Sequence, residues 1–362
     1  MAKVAQSLLD LRPAHAARKW SGSRALLLSS KDIISALKDE QVIVMACNTR
    51  IKHVIPGIMR AAEELDAVVA FELAKSECDV EGGYTGFVPA TFAQAIMEAA
   101  EAMGFSRPFF IHGDHITIKD NTEKSIEAGR RLIAAEIEAG YTSFAIDASF
   151  NPIPDNIRIT ADLARPIVER GLGLEVEVGE IKSTGQQAQL TTVEEAVEFV
   201  TGLRDHDIAA DLLAINNGSK HGNYLAGEEI SIDLERTGRI YQAIRGSFGM
   251  VLAQHGVTGT PMHLLGRFAD HGIRKANVGT QWQNIAHQGL PADLMKDMRA
   301  WAAEKGKDIK LATREFRDRI DTIDEASRLR IEQAAREEAR RFIMAFRAEG
   351  TGSAVMEVLA RR

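Results

Sequence analysis

The residues most able to do chemistry sit just after, or at the ends of, short apolar runs. Gly113-Asp114-His115 follows Phe109–Ile111, Glu175 and Glu177 lie within Leu174–Val178, His221 falls in the turn after Leu212–Ile215, and His255 follows Met250–Ala253. Three neutral imidazoles, with or without a carboxylate, are the ligand set of a catalytic Zn2+ that keeps one position open. Any one of these histidines alone reads as a loop residue bonded to backbone. The trio His115, His221 and His255 reads as a metal centre once a fold gathers these turns on one rim. His112 is left outside the set, because strand alternation points it with Asp114 rather than with His115.

A second constellation is made of glycine-containing turns. Asn217-Gly218-Ser219-Lys220-His221-Gly222, His255-Gly256-Val257-Thr258-Gly259-Thr260 and Asn277-Val278-Gly279-Thr280 each follow an apolar run. Glycine lets successive backbone N–H groups turn toward an anion, and threonine hydroxyls add donors. Beside the histidines, these turns suggest a phosphorylated substrate placed against a metal.

Positioning so many turns together requires a repeating architecture. Eight buried-strand candidates occur: Val42–Ala46, Ala67–Phe71, Phe109–Ile111, Ser143–Ile146, Leu174–Val178, Leu212–Ile215, Met250–Ala253 and Ile273–Val278. Segments of helical period separate them, such as Thr122–Ala139, with Ile126, Leu132, Ile133 and Ile137 largely on one face. Val193–Leu203 is another, opened by Thr191 and Thr192 with Glu194 and Glu195 in its first turn. This alternation predicts an α/β fold, a (β/α)8 TIM barrel, with an extra C-terminal helical extension. A doubly wound sheet is the alternative, but it leaves unexplained why polar residues follow all eight strands. The expected division is a helical segment over 1–40, the barrel over 41–290 and helices over 291–362. From Lys307 to Glu349 the chain is rich in Arg and Glu, with Ile320, Ile323, Leu329, Ile331 and Phe342 as an apolar stripe. That pattern is a solvated helix packed by one face, or, on the sharper reading, a subunit contact.

Composition bounds the function. The 362 residues are 45% hydrophobic and 26% charged, with a formal net charge of −7, which argues against a nucleic-acid protein built on a global positive field. No apolar run approaches the length of a bilayer span, so no membrane association is expected. Lys3, Arg12, Arg18, Lys19 and Arg24 make the start of the chain basic; a basic amphipathic helix is the expected form. Cys47 and Cys78 are the only cysteines, so neither a disulfide framework nor a thiolate zinc site is expected, and a reducing cytoplasm fits.

Over about residues 40–285 the ordered motifs resemble those of the class II, metal-dependent fructose- and tagatose-bisphosphate aldolases. Gly113-Asp114-His115 is similar to the family's Asp-His, which implies Asp114 as the catalytic acid/base and His115 as a metal ligand. Glu175-Val176-Glu177-Val178-Gly179 resembles the Glu-x-Glu-Leu-Gly strand and implies Glu177 near the metal. His221-Gly222-Asn223-Tyr224 resembles His-Gly-x-Tyr, and the turn from His255 to Thr260 resembles His-Gly-Gly-Ser-Gly-Ser/Thr. Together they imply His221 and His255 as further ligands, with Gly222, Gly256 and Thr258 on phosphate. The stretch Lys275-Ala276-Asn277-Val278-Gly279-Thr280 resembles Lys-x-Asn-[Val/Ile]-[Asp/Ala]-Thr, which places Asn277, Gly279 and Thr280, with Asn48 from the first strand, at the substrate.

The chain departs from the family's pattern in three places. The adjacent acids expected beyond the metal-side Glu are replaced by Thr184 and Gly185, leaving Glu180 as the only acid before Glu194. A serine of the second strand corresponds to Glu72, and Gly279 replaces Asp or Ala. Phe71-Glu72, Gly82-Gly83-Tyr84-Thr85-Gly86 and Ile146-Asp147-Ala148-Ser149 are instead similar to the noncatalytic accessory subunit of tagatose-bisphosphate aldolase.

The resemblance implies reversible aldol cleavage of a ketose (bis)phosphate to dihydroxyacetone phosphate and an aldehyde such as glyceraldehyde 3-phosphate. Zn2+, or Co2+, Mn2+ or Fe2+, is the implied cofactor, with a monovalent cation as a further option. The implied assembly is a homodimer or homotetramer. Asp114 is the implied base, and Glu180 and Glu72 are candidates for the remaining proton transfers. Glu72 reads equally as the partner of a rim cation such as Lys75, and Asp147 equally as a ligand-orienting group or the cap of the next turn. None of Arg314, Arg317 and Arg319 is assigned to a distal phosphate by motif. Two alternatives stay open, a noncatalytic accessory subunit and another metal-dependent phosphosugar lyase or epimerase; a Schiff-base aldolase using Lys275 is the chemical competitor but leaves the histidine trio without a task.

Overall fold

A computed structural model of the protein describes residues 8–179, 190–219, 222 and 231–361. The eight apolar runs all form strands: β1 Val44–Asn48, β2 Val69–Ala74, β3 Phe109–Thr117, β4 Ser143–Asp147, β5 Gly173–Val178, β6 Leu212–Ile215, β7 Val251–Gln254 and β8 Ile273–Val278. They pair in parallel, each with the next, and β8 closes on β1. Parallel strands covered on one face by helices and on the other by the barrel interior are buried on both, which is why they read as continuous apolar runs.

Helices α1 Ala14–Lys19 and α2 Ser30–Leu37 precede the barrel. Between the strands lie α3 Ile55–Glu64, α4 Pro89–Met103, α5 Glu123–Ala139, α6 Ile153–Val168, α7 Val193–Asp205, α8 Leu234–Phe248 and α9 Met262–Asp270. Their starts follow local chemistry. The Thr122 hydroxyl caps α5 at the Ser125 N–H, and Thr192 with Glu195 forms a reciprocal capping box on α7. Of the basic residues at the start of the chain, Arg18 and Lys19 lie in the short α1, Arg12 and Arg24 lie outside it and Lys3 lies outside the described residues; both cysteines are buried and free.

After β8 come α10 Thr280–Gly289, α11 Ala292–Lys305, the short α12 Ala312–Glu315 and α13 Arg317–Asp321, then α14 Glu325–Ala345 and α15 Thr351–Ala360. Helix α14 lies along α3, burying Ile331, Ala335, Ala339, Phe342 and Ile343. The helices approach so closely at Gly57 that any side chain there would collide with the Glu332 carbonyl. The expected stripe is corrected at one position: Leu329 is 54% exposed, because it projects away from the face that Ile331 and Phe342 present to the barrel. No helix among the described residues is long and apolar enough to cross a membrane.

Candidate active site

Strand periodicity stacks two inward-facing levels of polar side chains, a floor and a rim. His112 and Asp114 on β3, Glu175 and Glu177 on β5, and Lys275 and Asn277 on β8 are each two positions apart, hence on the same barrel face. The lower members, with Glu72 of β2, are 0–1% exposed. The upper members line a cavity of about 640 Å3 at the C-terminal mouth of the barrel, where barrels of this class carry their chemistry.

His115 reaches the same cavity by breaking the alternation. The β3–β4 register shifts between Gly113 and Ile116, and His115 takes φ +40°, a left-handed conformation rare for a residue with a side chain. The bulge lets consecutive residues, Asp114 and His115, both face the cavity. His112 also faces inward, one level down, where its Nδ1 meets the Ser143 hydroxyl at 2.6 Å. Alternation therefore pairs His112 with Asp114 as expected, but it does not separate either from His115. The bulge also requires β3 to run well past Ile111, to Thr117.

At the rim, His115 Nδ1 lies 3.2 Å from Glu177 Oε2 and 3.6 Å from Asp147 Oδ2. The His115 and His255 rings stack edge to face, centroids 4.3 Å apart, and His255 Nδ1 is 3.7 Å from Glu177 Oε2. The other His255 nitrogen, Nε2, meets Glu175 Oε1 at 2.7 Å, which orients the ring with Nδ1 toward the rim. Among the described residues three groups have ligand atoms close enough to share one cation: Asp114, His115 and His255, and His115, Asp147 and Glu177 at the rim, and Glu72, His112 and Asp114 between floor and rim. Imidazole with carboxylate suits Zn2+ and neighbouring divalent ions, so the residues fit the implied metal. His221 and Glu180 lie outside the described residues.

The electrostatics of the rim are those of a carboxylate excess. Burial alone would push the Asp114 carboxyl up, but the charges of His115, Lys275 and His255 and the Asn48 amide hold it at about 2. Burial and neighbouring Asp147 push Glu177 up to about 8 although His115 opposes them. Burial disfavours the charged form of His115, yet Asp114, Glu177 and Asp147 outweigh it and raise its pKa well above the usual imidazole value. Asp147 is lowered despite burial by His115 and by two hydrogen bonds from Ser149. Asp147 thus both faces His115 and caps the following turn.

Asp114 is gripped by two amides. Asn48 Nδ2 donates to its Oδ2 and Asn277 Nδ2 to its Oδ1, both at 2.9 Å. Asn277 Oδ1 in turn accepts from Lys275 Nζ at 2.7 Å. That ammonium sits 3.1 Å from Glu72 Oε2 and 3.0 Å from Glu175 Oε2. The partner of Glu72 is therefore Lys275, not Lys75, whose Nζ donates to the Thr117 carbonyl at 2.8 Å. Glu72 is fully buried below the cavity and does not line it. Burial works against the Lys275 charge, but Glu175, Glu72 and Asp114 raise its pKa, so the amine stays protonated and is a poor Schiff-base nucleophile.

The glycine turns form the opposite wall. Gly222, Gly256, Thr258, Gly279 and Thr280 all line the cavity, as do Asn48 and Asn277. Gly256 has φ +66°, which its lack of a side chain makes cheap, and Gly279 immediately precedes the first turn of α10. Within that turn the Gln281 N–H donates to the Thr258 hydroxyl at 3.3 Å and the Trp282 N–H to the Gly279 carbonyl at 3.1 Å.

Arg50, Glu77 and Tyr84, absent from the sequence-based site, complete the cavity. Glu77 accepts from Arg50 Nε at 2.7 Å, Tyr84 OH at 3.0 Å and Asn48 Nδ2 at 3.3 Å, so it sets the amide that grips Asp114. Arg50 NH1 donates to Gln283 at 2.9 Å. Tyr84 belongs to the Gly82–Gly86 turn noticed in the sequence, which was the one available signal. The tail arginines hold this turn: Arg314 donates to the Gly83 and Glu81 carbonyls at 3.1 and 3.0 Å, and Arg317 to that of Thr85 at 2.9 Å. Arg319 pairs with Asp297 and Asp293 away from the cavity.

Comparison with known proteins agrees with this geometry. The sequence pattern of the family described as fructose-bisphosphate aldolase class-II matches residues 28–348. The fructose-bisphosphate aldolase of Streptococcus pneumoniae serotype 4 is 28% identical over 286 residues, 78% of this chain and 88% of that protein. Among solved structures, the YdjI aldolase from Escherichia coli K12 superposes with a TM-score of 0.64 at 19% identity, covering 90% of this chain and 99% of that one. Fructose-bisphosphate aldolase from Campylobacter jejuni gives 0.66 at 16% identity, covering 90% and 97%. At those identities the structures show the fold alone.

Proposed function

This chain belongs to the class II fructose-bisphosphate aldolase family, and from that premise we propose that it cleaves a ketose 1-phosphate or 1,6-bisphosphate reversibly, releasing dihydroxyacetone phosphate and an aldehyde. The observation that carries the proposal is Asp114, ionised and gripped by two amides, in one cavity with His115, Glu177 and the glycine turns of β7 and β8.

His115, His255 and Glu177, with His221 by motif, would hold a divalent ion, zinc or a similar metal. Such an ion supplies positive charge beside the ketone oxygen as negative charge develops there. Asp114 takes the proton of the C4 hydroxyl as the C3–C4 bond breaks, and returns it to the aldehyde oxygen in the synthetic direction. Its low pKa keeps it ionised across the physiological range. The N–H groups at Gly256 and Gly279, with Thr258 and Thr280, hold the phosphate of the ketone half and so fix its carbonyl against the ligands. Assembly as a homodimer or homotetramer and a cytoplasmic location belong to the same reading.

The test is product release. The metal-loaded protein is given fructose 1,6-bisphosphate and tagatose 1,6-bisphosphate, and triose phosphate is measured. Cleavage of at least one, lost on chelation and restored by Zn2+, Co2+, Mn2+ or Fe2+, is expected. A metal-loaded protein that turns over neither, but raises the activity of a second aldolase chain, would instead be an accessory subunit.

A further inference from the structure

The floor holds a group that the reaction above does not use. Glu72 is 0% exposed, and Lys275 Nζ is its only polar partner among the described residues. Glu175, by contrast, serves three neighbours: Oε1 accepts from His255, and Oε2 faces Lys275 at 3.0 Å and His112 Nε2 at 3.7 Å. Beyond Lys275 the contacts run upward in one direction, from Nζ to Asn277 Oδ1 at 2.7 Å and from Asn277 Nδ2 to Asp114 Oδ1 at 2.9 Å.

A primary amide has one acceptor and one donor end, and Asn277 shows Asp114 its donor end only while its oxygen is claimed from below. Lys275 makes that claim, and the ammonium must be held within reach of Oδ1 to do so. Glu175 alone is a poor holder, because any shift of its carboxylate toward the lysine draws it from His255. Glu72, on β2, lies across the floor from Glu175 on β5, so the ammonium is held from two sides.

We infer that Glu72 is a positioning residue: it holds Lys275 so that Asn277 presents its N–H to Asp114 while Glu175 stays on His255. This deepens the aldolase reading and rests on it. Glu72 does not line the cavity, and although one of its oxygens lies within 4.8 Å of one of Asp114, no hydrogen bond joins the two; its hold on the base runs through Lys275 and Asn277. The consequence is specific. Losing Glu72 should slow proton transfer at Asp114 more than it weakens ground-state binding, because the glycine turns that hold phosphate lie on the far wall.

Two variants test this in the metal-loaded protein. Glu72→Leu removes the acceptor; Glu72→Gln keeps an oxygen for the ammonium. Supporting residues of this kind commonly change activity by about 10–100-fold. Glu72→Leu is therefore expected to lower kcat by about that factor with KM nearly unchanged, and Glu72→Gln to recover most of the loss. Lys275→Met in the Glu72→Leu background should add much less than it does alone, since both act through one chain of contacts. A crystal structure of Glu72→Leu should show Asn277 withdrawn from Asp114, a readout independent of turnover. The inference is overturned if Glu72→Leu keeps kcat within about twofold of the parent while Asn277 stays in place. A loss confined to KM or thermal stability, or Glu72→Gln no better than Glu72→Leu, would overturn it as well. If the parent protein cleaves no ketose phosphate, the aldolase reading fails by that assay, and the position of Asn277 in the variant still decides the role of Glu72.

Discussion

The floor and the rim of the barrel are both built from buried ionisable side chains, and they are balanced in opposite ways. On the floor, Lys275 sits between Glu72 and Glu175, and burial pushes the Glu72 carboxyl well above the usual carboxylate range, so one ammonium and one proton answer both acids. On the rim, Asp114, Asp147 and Glu177 surround His115 with His255 alongside, and carboxylates outnumber the positive charge available. A buried carboxylate excess is costly unless something positive joins it. The floor is thus a finished structural ion cluster, whereas the rim is arranged for a proton or a metal ion to complete it.

The contrast breaks most sharply at Asp114. Asp114→Asn preserves shape and removes the base, so kcat should fall by about 10^2–10^4 while the melting temperature stays close to the parent's. Comparable turnover in the variant would move the base elsewhere.

Next in size is a floor substitution. Lys275→Met leaves the buried Glu175 carboxylate without its cation and should cost about 3–5 kcal/mol in chemical denaturation. Adding Glu72→Gln and Glu175→Gln should return part of that stability while activity stays low, because Asn277 and His255 have lost their supports. Stability unchanged in the single variant would contradict a closed floor.

A smaller loss is expected from Glu77→Gln, which weakens the acceptor shared by Arg50, Tyr84 and Asn48. About tenfold in kcat, or ~1.4 kcal/mol, is the expected scale. Steady-state kinetics with a full substrate titration would detect it, and a change in KM alone would detach Glu77 from Asp114.

The finest distinction is in pH. In the metal-free protein, Glu177 and His115 keep protons that the unfolded chain releases near 4.3 and 6.5, so the native state binds more protons above the lower value. Metal-free stability should then fall as pH rises toward 8. Metal affinity should rise over the same interval, because binding displaces those protons. Asp114 and Asp147 are shifted the other way, and their contribution is lost only below about pH 4, as pH falls toward their native values. Melting curves with and without metal from pH 5 to 9 should diverge; parallel curves would mean the rim is not where the metal binds.

Much of this was legible in the sequence. Apolar runs bounded by turns located all eight strands, because parallel barrel strands are buried on both sides and carry little else. The end of β1 lies two residues and that of β2 three residues beyond the apolar run, since Cys47-Asn48 and Glu72-Leu73-Ala74 continue the strands. Period two put Lys275 with Asn277 and His112 with Asp114 correctly. It could not foresee the bulge at His115, which depends on the register between β3 and β4, nor that a glutamate on β2 meets a lysine on β8. Arg50 and Glu77 carry no motif at all; their role follows from which side chains meet across turns remote in sequence. Arg314 and Arg317 were considered for a ligand and turn out to be bound to backbone carbonyls.

That last feature has a consequence for biosynthesis. The strand that closes the barrel ends at Val278, yet the turn bearing Tyr84 gains its clamp only from Arg314 and Arg317, and α14 docks on α3 later still. At roughly 5–20 residues per second, translation leaves seconds between a closed barrel and a completed pocket wall. A nascent or prematurely terminated chain could therefore possess every strand and still lack a competent pocket, so the pocket wall is complete only once translation has passed Arg317 and α14.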